Sequence, residues 1–155
     1  MTLPLHVALD QCRRHVTIMQ GALADLPAKL SVGAVRHDDL ALLRTIDQFV
    51  YRFIKLQDTV GEHVLRTFAS EVLAEPVNDA PLIDVLMRLE KYGYLEAVQW
   101  ARWRSLRNSL THEYPDHPET RIAVLEEARL AADALTGLVE QIDARSARLG
   151  STTPG

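Results

Sequence analysis

Apolar residues recur along this chain at spacings of three and four, the period of one helix face, with no strand-like alternation. Residues 5 to 26 carry such a stripe in Leu9, Cys12, Val16, Met19 and Leu23, with Arg13, Arg14 and Gln20 off it. Pro27 ends that helix or lies just beyond its end. Ser31 to Arg36 has no period of its own and reads as a connector. The longest helix is predicted to open at His37-Asp38-Asp39 and to run to about Leu73. Asp38 or Asp39 is its N-cap, because a carboxylate accepts the orphan N–H groups of a first turn. Its apolar face is unusually wide. Leu42, Ile46, Phe49, Phe53, Leu56 and Val60 form one row, and Leu43, Val50, Ile54, Leu65 and Phe68 widen it. A polar stripe of Arg44, Gln48, Tyr51, Lys55, Asp58 and Glu62 runs opposite. Such breadth predicts contact both with the chain's own bundle and with a partner. Gly61 interrupts the helix at about 1 kcal/mol relative to Ala. It marks either the close approach of another backbone or a local bend.

The segment from Glu75 to Pro81 is a turn, with Asp79 near the cap and Pro81 in the first turn of a short helix. Leu82, Ile83, Leu86, Leu89 and Tyr92 mark that helix, and Gly93 stops it by tolerating positive φ. The next helix starts near Glu96 and is predicted to end at Tyr114-Pro115. The last runs from about 119 to 148 on Ile122, Leu125, Ala128, Ala132, Leu135, Leu138 and Ile142. The expected fold is all-α, an up-and-down bundle of four to five helices in a single domain over residues 1–148. Residues from Ser146 are polar and expected to fray, with 149–155 a flexible tail.

Composition narrows the function classes. The chain has 155 residues, enough for one domain with a real core, and a formal net charge of -4. Net acidity argues against a general polyanion binder, so nucleic-acid contact requires a local basic patch. Cys12 is the one cysteine and cannot form an internal disulfide, and it lies on an apolar stripe as a core residue does. No apolar run approaches the roughly 20 residues that span a bilayer. The N-terminus lacks a basic segment followed by an apolar core. A cytoplasmic location is the default expectation.

The densest chemistry is between Arg104 and Tyr114, where Arg104, Arg107, Asn108, His112 and Tyr114 fall within eleven residues. On a wheel of about 100° per residue, Leu95, Trp100, Trp103, Leu106 and Leu110 form an apolar arc. Arg107 falls inside it; Arg104, Asn108 and Thr111 lie just past its edge. A guanidinium keeps its proton, so burial there demands a partner or an anion. The structural account is snorkelling, or pairing with Asp58 or Glu62. His112 would stand roughly 140° around a straight helix from Arg107. The two meet at one substrate only if the helix end swings His112 round, or if two copies face each other across a two-fold axis. A solvated helix terminus is the alternative for His112. Metal and cofactor chemistry have little support. His112-Glu113 with His117 is one residue too long for a zinc H-E-x-x-H pair, and Pro115 breaks the helix that would align it. No phosphate loop or nucleophile elbow is present.

Arg107-Asn108-Ser109-Leu110-Thr111-His112 fits the Arg-x4-His pattern of the HEPN superfamily. With Tyr114 it resembles the Arg-x4-His-x-Tyr form of HepT-like toxins. Arg52 through Gly61 resembles that family's second helix; Ile83 through Glu90 and Trp103 through Pro115 are also similar to it. The resemblance covers roughly residues 38 to 130. It implies a HEPN-like bundle that works as a metal-independent endoribonuclease, the toxin of a toxin–antitoxin pair, without cofactor. It implies a homodimer whose composite cleft acts on RNA. Arg107 and His112 would be catalytic, Arg104 and Asn108 would support the RNA phosphate, and Asp58 would contribute from the second helix. Arg102 joins Arg104 and Arg107 in a local basic cluster. The implied partner is a nucleotidyltransferase antitoxin, which can silence such toxins by transferring AMP to the motif tyrosine, by position Tyr114. Two other readings stay open. One is a non-catalytic HEPN subunit that binds nucleotide or scaffolds a nucleotidyltransferase. The other is a plain structural bundle with Arg107 salt-bridged and His112 solvated.

Overall fold

A computed structural model describes residues 2–36, 39–112 and 114–150. It is an all-α bundle, as the periodicity predicts; among the described residues there is no strand. Helix α1 spans Leu5–Asp25 and lies along α3, Leu40–Thr59. Beyond α3 the helical rod continues through a π-helical turn at Val60–Val64, a short α4 at Leu65–Thr67 and a second π turn at Phe68–Val72. Helices α5 (Leu82–Lys91) and α6 (Ala97–Ser109) return, and α7 (Pro118–Gly150) closes the bundle against α1, α2 (Val32–Arg36) and α6.

The rod is the spine because its apolar face is buried along its whole length. Ile46, Phe49, Phe53, Leu56, Val60, Val64, Leu65 and Phe68 are all sealed from solvent. Burying one such side chain contributes about 1.5–3 kcal/mol. Cys12 and Met19 of α1, Leu89 of α5, and Leu135 and Ile142 of α7 belong to the same core. Polar ties fix the ends. Arg13 pairs with Asp143 at 2.6 Å, joining α1 to α7. Arg129 of α7 donates to the carbonyls of Pro27 and Ala28 at 2.6 and 3.1 Å. Arg66 donates to the Val77 carbonyl at 2.8 Å and to that of Ala80, holding the loop ahead of α5. Tyr94 packs edge-on against Phe68 with ring centres 5.0 Å apart.

Local chemistry explains the element ends and corrects several expectations. Asp39 caps α3, its carboxylate accepting from the Leu42 N–H at 3.2 Å; Asp38 and His37 lie outside the described residues. The expected connector Ser31–Arg36 contains a helix, α2, Val32–Arg36. Ser31 Oγ accepts from the Ala34 N–H at 3.2 Å and Val35 is buried, so a cap and one core contact outweigh the weak helix propensity of Val and Gly. Pro81 is the N-cap of α5 rather than part of its first turn, and Asp79 does not cap it. The Pro81 carbonyl itself accepts from the Asp84 and Val85 N–H groups. Gly93, at φ 80, ends α5 as expected. The Tyr94 N–H reaches back to the Leu89 carbonyl at 3.0 Å, which satisfies an orphan acceptor of the last turn. Helix α7 continues through Leu149 to Gly150, so the start of the expected tail is helical; residues 151–155 lie outside the described set. No helix among the described residues is long and apolar enough to cross a membrane.

Gly61 resolves into a third arrangement. It lies in the first π turn, and a Cβ there would stand 2.9 Å from Cζ2 of Trp100. What approaches it is an indole of α6, not another backbone. The π turn supplies the local irregularity expected of a bend.

Candidate functional site: two clefts beside α6

Helix α6 ends earlier than the Pro115 signal predicts. Its last helical residue is Ser109, with Leu110 as C-cap. The Thr111 hydroxyl donates to the Asn108 carbonyl at 2.7 Å. The Thr111 and His112 N–H groups reach carbonyls only three residues back. A threonine competing for a backbone acceptor and a tightened last turn together unwind the helix before His112. Tyr114 then adopts φ 50, the left-handed region, and turns the chain into Pro115.

That ending separates the predicted residues into two clefts. The first, about 340 Å³, lies between the rod and α6 and is lined by Asp58, Glu62, Trp100, Arg104, Arg107 and Asn108, with Gln57, Gly61 and Leu82 completing it. Asp58 and Arg107 form a bidentate pair here. Arg107 Nε donates to Oδ1 at 3.1 Å and Nη2 to Oδ2 at 2.9 Å. Hydrogen bonding to Asp58 pushes the Arg107 pKa above its ordinary value; partial burial opposes this, and the charges of Asp58 and Glu62 add to it. Nη1 makes no hydrogen bond among the described residues, so the pair orients the guanidinium while leaving one edge for an anion. The pairing foreseen for an arginine inside an apolar arc is therefore made, with Asp58 rather than Glu62. Arg102 is exposed and does not line this cleft, so the basic cluster read from sequence is not assembled as three residues.

The second cleft, about 110 Å³, holds His112 and Tyr114 with Asp47, Arg121, Leu110 and Thr111. The His112 and Tyr114 rings meet edge to face with centres 6.0 Å apart. His112 is exposed and Tyr114 half-buried. Arg107 and His112 thus line separate clefts of one chain.

Sequence reasoning missed Gln57, Trp100 as a cleft wall, and the Asp47 and Arg121 neighbours of His112. Gln57 had a legible signal. It falls four residues after Phe53 and three before Val60, inside the buried face of the rod, and is only 3% exposed. Its Oε1 is sealed and has no hydrogen-bond partner among the described residues. Asp47 and Arg121 left no such signal, because only the fold brings them to α6. Cys12 is fully buried and burial pushes its thiol up to about 12, which makes it inert core. Among the described residues, no group of three or more His, Cys, Asp or Glu side chains could hold a metal ion.

Comparison with known proteins returns no family model, no curated protein and no solved structure that matches this chain.

Proposed function

We propose that the chain is a metal-independent endoribonuclease that acts as a homodimer, the toxin of a toxin–antitoxin pair. The observation that carries this reading is the split of Arg107 and His112 into two clefts, with Asp58 presenting one free edge of the Arg107 guanidinium. In a symmetric pair of chains, His112 of one copy would approach Arg107 of the other. Each of the two sites would then hold one cation and one proton-transfer group. The ribose 2′-OH attacks the adjacent phosphorus and gives its proton to a base. The P–O5′ bond breaks, the 5′-oxygen leaves with a proton from an acid, and a 2′,3′-cyclic phosphate remains. Histidine serves such transfers near neutral pH, a contribution of about 10²–10⁴-fold. Arg107 stabilises the charge that builds on the phosphoryl oxygens, and Arg104 and Asn108 hold the neighbouring phosphate. Tyr114 lies in the His112 cleft, so AMP transferred to it by a nucleotidyltransferase antitoxin would fill that cleft and repel RNA.

The test uses purified full-length protein, single-stranded RNA and excess chelator. Cleavage is expected with wild type and is lost in both Arg107→Ala and His112→Ala. Mixing the two inactive variants restores activity, because one site of each mixed dimer carries both native groups. Mixed dimers without activity, beside an active wild type, exclude the shared site. A second reading, a non-catalytic nucleotide-binding subunit, draws on the neutralisation of Arg107 by Asp58. A dimer that binds nucleotide but leaves RNA intact selects it.

A further inference from the structure

One face of the bundle gathers positive charge without counter-charge. Arg14 of α1 and Arg52 and Lys55 of α3 make no ion pair among the described residues. The chain has 21 acidic residues against 17 Lys and Arg, so composition alone favours a compensated surface. The acids one helical turn away are engaged elsewhere. Asp10, four residues before Arg14, pairs with Arg13, and Asp58, three after Lys55, is held by Arg107. One turn before His15 and Arg52 stand the neutral Gln11 and Gln48. The cations are also fixed in place. Arg52 Nη1 stands 3.0 Å from Nδ1 of His15 across the contact between α1 and α3. A guanidinium only donates, so the imidazole accepts. Burial, and then the charges of Arg52, Lys55 and Arg14, push the His15 pKa down and keep the ring a neutral acceptor at neutral pH. The Arg52 and Lys55 cations lie over the Tyr51 ring, 5.4 and 5.6 Å from its centre.

We propose that Arg14, Arg52 and Lys55 form a track for the phosphodiester backbone of single-stranded RNA, outside both clefts. The choice of RNA rests on the ribonuclease reading, but the track does not require cleavage. Its position suits a strand that also enters the first cleft. Lys55 is three residues, about 4.5 Å of helix, from Asp58, which lines the cleft beside Arg107. An RNA with a phosphate at Arg107 passes over Lys55 and Arg52 and reaches Arg14 on the neighbouring helix. The make-up of the patch argues against a protein partner. Protein interfaces centre on apolar residues and are depleted in Lys. Here Tyr51 is the one exposed large apolar side chain, and two cations lie over its ring. Phosphate contacts of this kind fix the path of a strand without reading its sequence. Their affinity comes largely from the counterions that the strand releases.

The experiment uses the full-length protein and a short fluorescent RNA with a methyl group on every 2′-oxygen, which has no nucleophile and is not cut. Anisotropy gives Kd at several salt concentrations. Each phosphate contact contributes about −0.7 to the slope of log affinity against log salt. The double variant Arg14→Gln/Lys55→Gln is expected to bind more weakly, with a slope shallower by about 1.4. Its melting temperature is expected to hold or rise, because both side chains are exposed and their repulsion is relieved. Lys91→Gln on α5, which packs on α4 and α6, removes a charge elsewhere and is expected to leave the slope unchanged. An unchanged slope in the double variant overturns the proposal. So does an equal loss per charge in Lys91→Gln, or wild type that fails to bind at low salt. Polyglutamate that displaces the RNA as well as unlabelled RNA does also overturns it, and assigns the patch to an acidic protein. Binding of this RNA without cleavage of ordinary RNA removes the ribonuclease and keeps the track. Cleavage by wild type, with the salt slope intact in the double variant, removes the track and keeps the ribonuclease.

Discussion

Asp58 of α3 and Arg107 of α6, forty-nine residues apart in sequence, meet through two parallel hydrogen bonds of 2.9 and 3.1 Å. The pair is the one ion pair between the rod and α6 among the described residues, and it sets the orientation of the only guanidinium in the Arg-x4-His stretch. About a third of each side chain remains exposed, so its net contribution to stability is modest while its geometric role is not. A double-mutant cycle with Asp58→Asn and Arg107→Gln should give a coupling of about 1 kcal/mol in urea unfolding. For the proposed ribonuclease, Arg107→Lys should lower cleavage about 10²-fold with a far smaller effect on stability. A point charge cannot both pair with Asp58 in a fork and face the phosphate. A coupling indistinguishable from zero would show that the pair does not organise the cleft.

The contact between Gly61 and Trp100 predicts an inversion of the usual glycine rule. Replacing a helical glycine with alanine typically adds about 0.5–1 kcal/mol. At Gly61 the new methyl would stand 2.9 Å from a buried indole, and overpacking of that kind costs about 1–3 kcal/mol. Gly61→Ala should therefore lower the urea midpoint. Gly21→Ala in α1 and Gly137→Ala in α7, where nothing lies within 4 Å, should raise it.

Cys12 should behave as part of the core. With its thiol pushed up to about 12 and no exposure, thiolate is scarce at neutral pH and reagents cannot reach it. Labelling by a disulfide reagent should be slow in buffer and complete in denaturant. Its rate at intermediate urea should follow the unfolding equilibrium. Rapid labelling of native protein would place Cys12 outside the core.

His15 should give the protein an acid-sensitive component. Its ring Nδ1 stands 3.0 Å from an Arg52 amino group. Burial pushes its pKa below the ordinary 6.5, and the nearby charges of Arg52, Lys55 and Arg14 push it further the same way. A histidine whose pKa is depressed by folding binds its proton more readily when unfolded. Its contribution is therefore intact above about pH 6.5 and lost as pH falls toward the folded value. The stability of wild type measured between pH 7.5 and 5 should fall more steeply than that of His15→Gln. Parallel curves would remove His15 from the account.

Local periodicity settled most of the fold. The apolar rows of α1, the rod and α7 are legible because burial of one helix face leaves a repeat of three and four in the chain. The Asp39 cap and the Gly93 stop are legible because each acts on residues within one turn. The failures were also local but weaker. Ser31 capping α2 and Thr111 unwinding α6 depend on single hydrogen bonds that compete with propensity, and no stripe announces them. What only the tertiary structure decided is every relationship between elements: Asp58 rather than Glu62 as the partner of Arg107, Trp100 against Gly61, and Arg107 and His112 in different clefts. Periodicity records which face of a helix is buried, but not which residue of another helix lies against it. That choice follows from the packing of whole elements, whose contacts are distant in sequence and leave no spacing to read.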